Sequence, residues 1–287
     1  MIIKTLFTAA LLCLFTAKLS GQQLLDTQKP SDSASIGTLA LYDLKQSIRG
    51  IGYSFTRPLH WKKKDFTTLG TFVVGTLALS TIDDESSALF VKNERHVPNL
   101  FMDAGTEFGS PQVYFIANAA LYGTGLIMKN EKLRKTSVLI ISSSITTGVI
   151  QSIAKTAIGR ARPRNVANGL NSRDFEFWSD KPEFHSFPSG HTVLSVTMAH
   201  AVAKQFNNTW SKIGVYSLGS VAPISRLFAG AHWLTDVGAA TFLSIVVVDA
   251  VDNFLFKTNA YDYPKRKKQI SWNFSFSGNK VGLVGTF

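Results

Sequence analysis

Six apolar stretches without a charged residue follow one another after residue 65, separated by short polar or charged connectors. They cover residues 66–82, 108–128, 136–154, 192–203, 213–225 and 237–248. Each has roughly the length of a helix, and few of them show the apolar–polar alternation that indicates a strand. The pattern therefore predicts an all-α fold, a helical bundle of about six core helices.

The end of the chain has a different pattern. Apolar and polar residues alternate over residues 270–276 and again over residues 281–287, with Ser277, Gly278 and Asn279 between them. Alternation on both sides of a short turn sequence predicts a β-hairpin. One hairpin cannot close a membrane barrel, so we expect a short C-terminal β-hairpin that packs on the bundle.

The start of the chain has the pattern of a secretory signal peptide. Residues 1–21 contain Lys4, an apolar run over residues 6–17, and the small residues Ser20 and Gly21. The single cysteine, Cys13, lies inside this segment, so the mature chain would have no thiol. This excludes thiol nucleophiles, zinc–cysteine sites and disulfide scaffolds.

The remaining boundaries follow from composition. We expect an N-terminal segment over residues 22–65, a helical domain over residues 66–256, and a basic tail with the hairpin over residues 257–287. The formal net charge is +11, which favours anionic partners such as phospholipid surfaces or phosphorylated substrates. Export argues against nucleic acid as a partner, and we expect none.

Two membrane topologies compete. If all six stretches crossed a bilayer, the basic connector over residues 129–135 would lie in the cytoplasm, but a cleaved signal peptide would reverse that orientation. Only the second and third stretches approach the length of a span, about 20 residues. With a mean hydropathy of +0.10, we favour an exported, periplasm-facing bundle attached to a membrane over an integral six-span protein.

Two clusters of residues that could bind a ligand or take part in catalysis lie before the fourth apolar stretch. Lys155 and Arg162 are seven apart, which would place both cations on one face of a helix that Pro163 ends. Ser189 and Gly190 then precede a helix, where exposed amides bind anions. A solvated helix end and an ordinary turn are the structural alternatives.

A third cluster follows the fifth stretch. Arg226 is followed by His232 and Asp236, which are four residues apart, so the carboxylate can hold one imidazole nitrogen and leave the other free. His191, directly after Gly190, adds a second imidazole. A structural hydrogen-bonded pair is the alternative for His232 and Asp236. Together, the three clusters supply the cations and the acid–base pair that a phosphate group requires.

At these residues the sequence resembles the type 2 phosphatidic acid phosphatase superfamily, which includes lipid phosphatases, bacterial class A acid phosphatases and vanadium haloperoxidases. The resemblance covers about residues 66–256. All three parts of the family signature occur in order, with matching residue types and spacing.

The resemblance implies a role for each residue. His232 would attack phosphorus and form a phosphohistidine, oriented by Asp236, while His191 would protonate the leaving oxygen and later activate water. The residues that would hold the phosphate oxygens are Lys155, Arg162, Ser189, Gly190 and Arg226. No metal or other cofactor is implied, and the expected partners are a phosphorylated lipid or another phosphate ester and a membrane surface. The sequence does not determine the oligomeric state.

Two other functions remain open at this point. In a vanadium-dependent haloperoxidase the same residues would hold vanadate, and a noncatalytic envelope protein would bind anionic lipid through its basic surface. Residues 164–187 are rich in aromatic side chains, which would either line a substrate entrance or cover the bundle. Arg160 and Arg164 would either contact a second phosphate or be solvated, and His185 is a candidate accessory group.

Overall fold

The computed structural model describes residues 34–258, 261, 271–277 and 280–286. Nine α-helices occur in this part of the chain: α1 Ile36–Thr56, α2 Lys63–Ser80, α3 Asp83–Asn93, α4 Asn99–Phe108, α5 Pro111–Ile127, α6 Glu131–Ile158, α7 Gly190–Ala203, α8 Thr209–Phe228 and α9 Leu234–Asp252. Strands β1 Ser271–Ser277 and β2 Lys280–Thr286 pair antiparallel at the end of the chain. The predicted helical bundle with a C-terminal hairpin is confirmed, whereas the predicted signal peptide and most of the basic tail lie outside the described residues.

Helix α2 and helices α5 to α9 correspond to the six predicted stretches, but α1, α3 and α4 were not predicted. Helix α1 lies in the N-terminal segment and directs polar residues into the bundle, where Asp43, Gln46 and Ser47 are buried. Since its buried face is partly polar, the apolar pattern did not reveal it. Helices α3 and α4 lie in what the sequence indicated to be a charged connector.

Helix ends follow local side-chain chemistry. Ser35, Ser110, Asn130, Ser189 and Asn208 cap helices, each accepting a hydrogen bond from the amide three residues later. At its other end, α6 stops at Gly159, which has a φ of 58° and occupies the left-handed region where glycine is favoured. The expectation that Pro163 ends this helix was therefore wrong.

Helix α6 lies at the centre of the bundle and packs against α1, α5, α7 and α9. Its Leu139 and Ile140 join Val248, Val251 and Leu255 in the buried core. The ends of α6 and α8 and the beginnings of α7 and α9 meet, as the hydrogen bonds described below show. We call this the site end of the bundle.

A buried ionic cluster lies at the other end of α6. Asp43 accepts hydrogen bonds from Arg134 at 2.7 Å, from the Tyr122 hydroxyl at 3.0 Å and from the Tyr261 hydroxyl. Arg134 and Lys155 are 21 positions apart on one helix, so about 30 Å separates this cluster from the site end. The cluster ties α1, α5 and α6 to the chain beyond α9.

Two of the described helical segments, Glu131–Ile158 and Leu234–Lys257, are long and apolar enough to cross a membrane. The pair Lys63–Ser80 and Asp83–His96, bent by 60°, would add a third span if the two acted as one. This is fewer than the six spans of the integral topology. Helix α2 has no buried residue and exposes large apolar side chains such as Val74 and Leu77, as expected for a helix that faces lipid.

Candidate active site

Lys155 and Arg162 converge on one carbonyl group at the site end. Lys155 lies in the last turn of α6, whereas Arg162 lies beyond the helix, so the two do not share a helix face as expected. Lys155 Nζ donates to the His185 carbonyl oxygen at 3.1 Å, and Arg162 Nη2 donates to the same oxygen at 3.0 Å. The turn at Gly159 thus brings the two cations together, whereas the sequence predicted that one continuous helix would do so.

Backbone carbonyls also fix the orientation of the Arg162 guanidinium. Nε donates to the Pro182 oxygen and Nη1 to the Ala231 oxygen, both at 3.0 Å. With the bond to His185, three different carbonyls hold the plane of the group. Because Ala231 directly precedes His232, Arg162 is anchored next to the predicted nucleophile.

Ser189, Gly190 and His191 lie at the start of α7, as predicted. The Ser189 hydroxyl is fully buried, accepts from the Thr192 amide at 3.4 Å and lies 2.9 Å from the Thr192 hydroxyl. It therefore caps the helix, and its phosphate-binding role remains a prediction. His191 is half-buried, and a Cβ atom added to Gly109 would lie 2.4 Å from the Cβ of His191. Gly109, which no sequence pattern indicated, leaves the space that His191 occupies.

Arg226 lies in the last turn of α8 and contacts helix α4. Its Nη2 donates to the Thr106 hydroxyl at 2.5 Å, and its Nε donates to the Ser225 hydroxyl at 3.2 Å. A Cβ atom on Gly105 would lie 2.0 Å from the Ser225 hydroxyl oxygen, so α4 and α8 are in close contact here. Thr106 and Gly105 therefore position Arg226, and neither was predicted because α4 itself was not.

The buried His232 has a defined tautomer. Its Nδ1 lies 2.8 Å from the Ser186 carbonyl oxygen but 3.7 Å from Asp236 Oδ2, so the carbonyl is the direct partner. A carbonyl oxygen only accepts, so Nδ1 carries the hydrogen and Nε2 of the neutral ring has a free lone pair. The expectation that Asp236 holds the imidazole directly is thus corrected, and Nε2 is the candidate nucleophile.

Asp236 is fully buried and accepts three hydrogen bonds. Its donors are Arg160 Nη1 at 2.8 Å, the Ser186 hydroxyl at 2.5 Å and the Trp233 amide at 2.8 Å. The carboxylate thus orients Ser186, and the carbonyl group of Ser186 holds the His232 ring. Arg160 is buried as well, so both expectations for it, a second phosphate contact or a solvated charge, were wrong.

The remaining candidates have structural contacts. His185 Nε2 is hydrogen-bonded to the Ser179 carbonyl oxygen at 2.8 Å, so this residue serves the site through its own carbonyl group. Arg164 is exposed and donates to the Ala229 oxygen at 3.0 Å. His200 is hydrogen-bonded to Tyr216 and Asp249 near the far end of α7.

Both site imidazoles are held in the neutral form. Burial, together with the positive charges of Arg226, Lys155 and Arg162, lowers the pKa of His191 to about 4. Burial also lowers the pKa of His232 to about 4, against the opposing influence of Asp236. A neutral His232 is competent as a nucleophile, whereas His191 acquires its proton most readily when a bound phosphate offsets the surrounding cations.

These pKa values predict an unusual pH dependence. The roles that the family resemblance implies require His232 to be neutral and His191 to be protonated in the free enzyme. With these roles, kcat/KM for a soluble phosphate ester is expected to peak on the acid side of neutrality and to fall as pH rises. The bound dianion raises the pKa of His191, so the maximum of kcat should lie at higher pH than that of kcat/KM. Steady-state kinetics across the pH range would measure both, and a kcat/KM that rises steadily from acid to neutral pH would contradict the assignment.

The sequence profile of the PAP2 superfamily matches residues 136–259. These residues form a PAP2 superfamily domain. The match includes every predicted site residue, from Lys155 to Asp236. The rest of the bundle, including helices α1 to α5, precedes it.

Similar known proteins include lipid A 1-phosphatases. That of Rhizobium johnstonii is 26% identical over 231 residues, which cover 74% of this chain and 90% of that protein. That of Porphyromonas gingivalis is 24% identical over 166 residues, covering 56% of this chain but 34% of that larger protein.

Among solved structures, the transmembrane PAP2-type phosphatidylglycerolphosphate phosphatase of Bacillus subtilis has a similar fold. The TM-score is 0.51 at 20% identity, and the match covers 72% of this chain and all of that one. This likeness concerns the fold.

Proposed function

We propose that this PAP2 protein is a lipid phosphatase that works through a phosphohistidine on His232 and needs no metal ion. The observation that carries the proposal is the convergence of Lys155, Arg162 and Arg226 with two neutral imidazoles at one end of the bundle. Fixed cations at the point where negative charge builds up perform the task that Mg²⁺ performs in other phosphoryl-transfer enzymes.

The reaction proceeds in two steps. His232 Nε2 attacks phosphorus and the bond to the leaving oxygen breaks, while His191 donates its proton to that oxygen. His191, now neutral, then takes a proton from water, whose oxygen attacks phosphorus and breaks the phosphorus–nitrogen bond. Inorganic phosphate and the dephosphorylated alcohol leave, and the protons balance across the two steps. The Ser186 carbonyl keeps the His232 ring in place throughout.

The proposed substrate is a membrane glycolipid phosphate of the lipid A class. Support comes from the names of the similar proteins and from the apolar helices that place this chain at a membrane. We propose that the site faces the exported side of the envelope, a placement supported by the signal-peptide pattern of residues 1–21.

A lipid panel would test this function. Purified protein, with a chelator present, would be given lipid A 1-phosphate, phosphatidic acid, phosphatidylglycerol phosphate, undecaprenyl diphosphate and p-nitrophenyl phosphate. We expect phosphate release without added metal, fastest from lipid A. Release that requires a divalent cation would refute the metal-free route, and vanadate-dependent halide oxidation without phosphatase activity would favour the haloperoxidase.

An exposed aromatic loop lies beside the site. Phe175, Phe177 and Trp178 are 44%, 69% and 73% exposed, so they do not cover the bundle. The Glu176 amide donates to the Gly159 oxygen at 2.7 Å, which fixes the loop at the end of the potential span α6. Aromatic side chains are favoured at this level of a membrane, where they would contact the acyl chains of a bound lipid.

Trp178→Ala is expected to raise KM for a lipid phosphate in vesicles about tenfold, because one large apolar contact is lost. KM for p-nitrophenyl phosphate should not change. Trp210→Ala is the matched control, since Trp210 is 79% exposed but lies at the start of α8, away from the site end. Equal effects of Trp178→Ala on both substrates would rule out the lipid contact.

A further inference from the structure

Asp83 is a fully buried carboxylate at the first position of α3. Its Oδ2 accepts from Arg160 Nη2 at 2.7 Å and from the Thr235 hydroxyl at 2.5 Å, and its Oδ1 accepts from the Thr235 amide at 2.9 Å. Asp83 thus holds both Arg160 and the first turn of α9, which carries Asp236. Asp84, the next residue, is exposed and bonds instead to Ser172.

Arg160 connects Asp83 to the nucleophile by two routes. Its Nη1 donates to Asp236 at 2.8 Å, and its carbonyl oxygen accepts from the Ser186 amide at 3.0 Å. Ser186 in turn donates its hydroxyl to Asp236 and offers its carbonyl to His232 Nδ1. These residues are all at least nine-tenths buried, so the network has little freedom to rearrange.

The charges of this network favour the chemistry at His232. One guanidinium lies between two carboxylates, which leaves a net negative charge beside the ring. The ring becomes positive when Nε2 bonds to phosphorus, so this charge stabilises the phosphohistidine relative to the free enzyme.

We propose that Asp83 is a positioning residue of the phosphatase, which acts through Arg160 and Thr235 to fix Asp236, Ser186 and the ring of His232. It lies outside residues 136–259, the part that matches the PAP2 superfamily. The bent pair α2–α3 would therefore complete a site whose reacting groups all belong to the matched domain. This proposal rests on the phosphohistidine route proposed above.

Rapid-quench kinetics of Asp83→Asn with a ³²P-labelled soluble ester would test the proposal. We expect the rate constant of phosphoenzyme formation to fall about ten- to hundredfold, since small misplacements of a reacting group have effects of this size. The substrate dissociation constant, obtained from the dependence of this rate constant on substrate concentration, should change less than about twofold, because the phosphate-binding cations are untouched. A merely structural role would instead lower the fraction of the total protein that reacts and leave the rate constant unchanged, and that outcome would overturn the proposal.

Asp65→Asn is the matched control, because it makes the same chemical change in a carboxylate that also pairs with an arginine, Arg57, and that accepts from the Lys62 amide at the start of α2 rather than from the Arg160 network. It should react at the wild-type rate. If Asp83→Asn does not fold, Arg160→Lys keeps the charge but cannot bridge both carboxylates, and the same fall in rate constant is expected. A wild-type rate in Arg160→Lys would refute the proposal, whereas absence of phosphoenzyme in the wild type would refute the proposed function instead.

Discussion

His232→Ala should abolish phosphate release, with a loss of about 10⁴-fold or more in kcat, because the attacking atom is removed. The structure leaves Nε2 with the free lone pair while Nδ1 is held by Ser186, so no other nitrogen of this residue can replace it. Phosphate release from lipid and from p-nitrophenyl phosphate, with chelator present, would measure the loss. The wild type quenched during turnover should carry a phosphate that is labile to acid and stable to base, and the variant should carry none.

His200→Ala is a suitable control for this experiment. His200 lies near the end of α7 that is remote from the site and bonds to Tyr216 and Asp249, so its loss should leave turnover nearly unchanged. Turnover by His232→Ala at more than a few per cent of the wild-type rate would show that another group attacks phosphorus.

His191→Ala should lower kcat/KM by about 10²- to 10⁴-fold for a substrate with a basic leaving group. Phenyl phosphate is such a substrate, whereas nitrophenolate leaves without needing a proton. We therefore expect a much smaller loss of kcat/KM with p-nitrophenyl phosphate than with phenyl phosphate. The comparison uses kcat/KM because this constant reports the steps up to phosphoenzyme formation, before His191 acts as a base towards water.

His60→Ala provides the corresponding control, because His60 is exposed and bonds to the Thr56 carbonyl oxygen. An equal loss for both esters in His191→Ala would show that His191 does not protonate the leaving group. It would then contribute to binding of the substrate phosphate.

Much of the fold was predictable because most of its helices contain a continuous apolar stretch of helical length, which can be recognised in the sequence. Helix α2 and helices α5 to α9 were recognised in this way, and so was the hairpin, since alternation over a turn is a local property. Helix α1 was missed because it buries Asp43 and Gln46 against the bundle. Helices α3 and α4 were missed because their charged residues resemble a connector, although Asp83 is completely buried.

The sequence by itself determined the class of chemistry. The residues from Lys155 to Asp236 form three short motifs, and the spacing within a short motif can be recognised without knowing the fold. Only the tertiary structure decided which groups touch. It shows that the direct partner of His232 is the Ser186 carbonyl and not Asp236. It also shows that Arg160 bridges two buried carboxylates, where the sequence suggested a contact with phosphate or solvent. The bond between Asp83 and Arg160 joins residues 77 positions apart, and such contacts depend on how helices pack, which no short segment of sequence encodes.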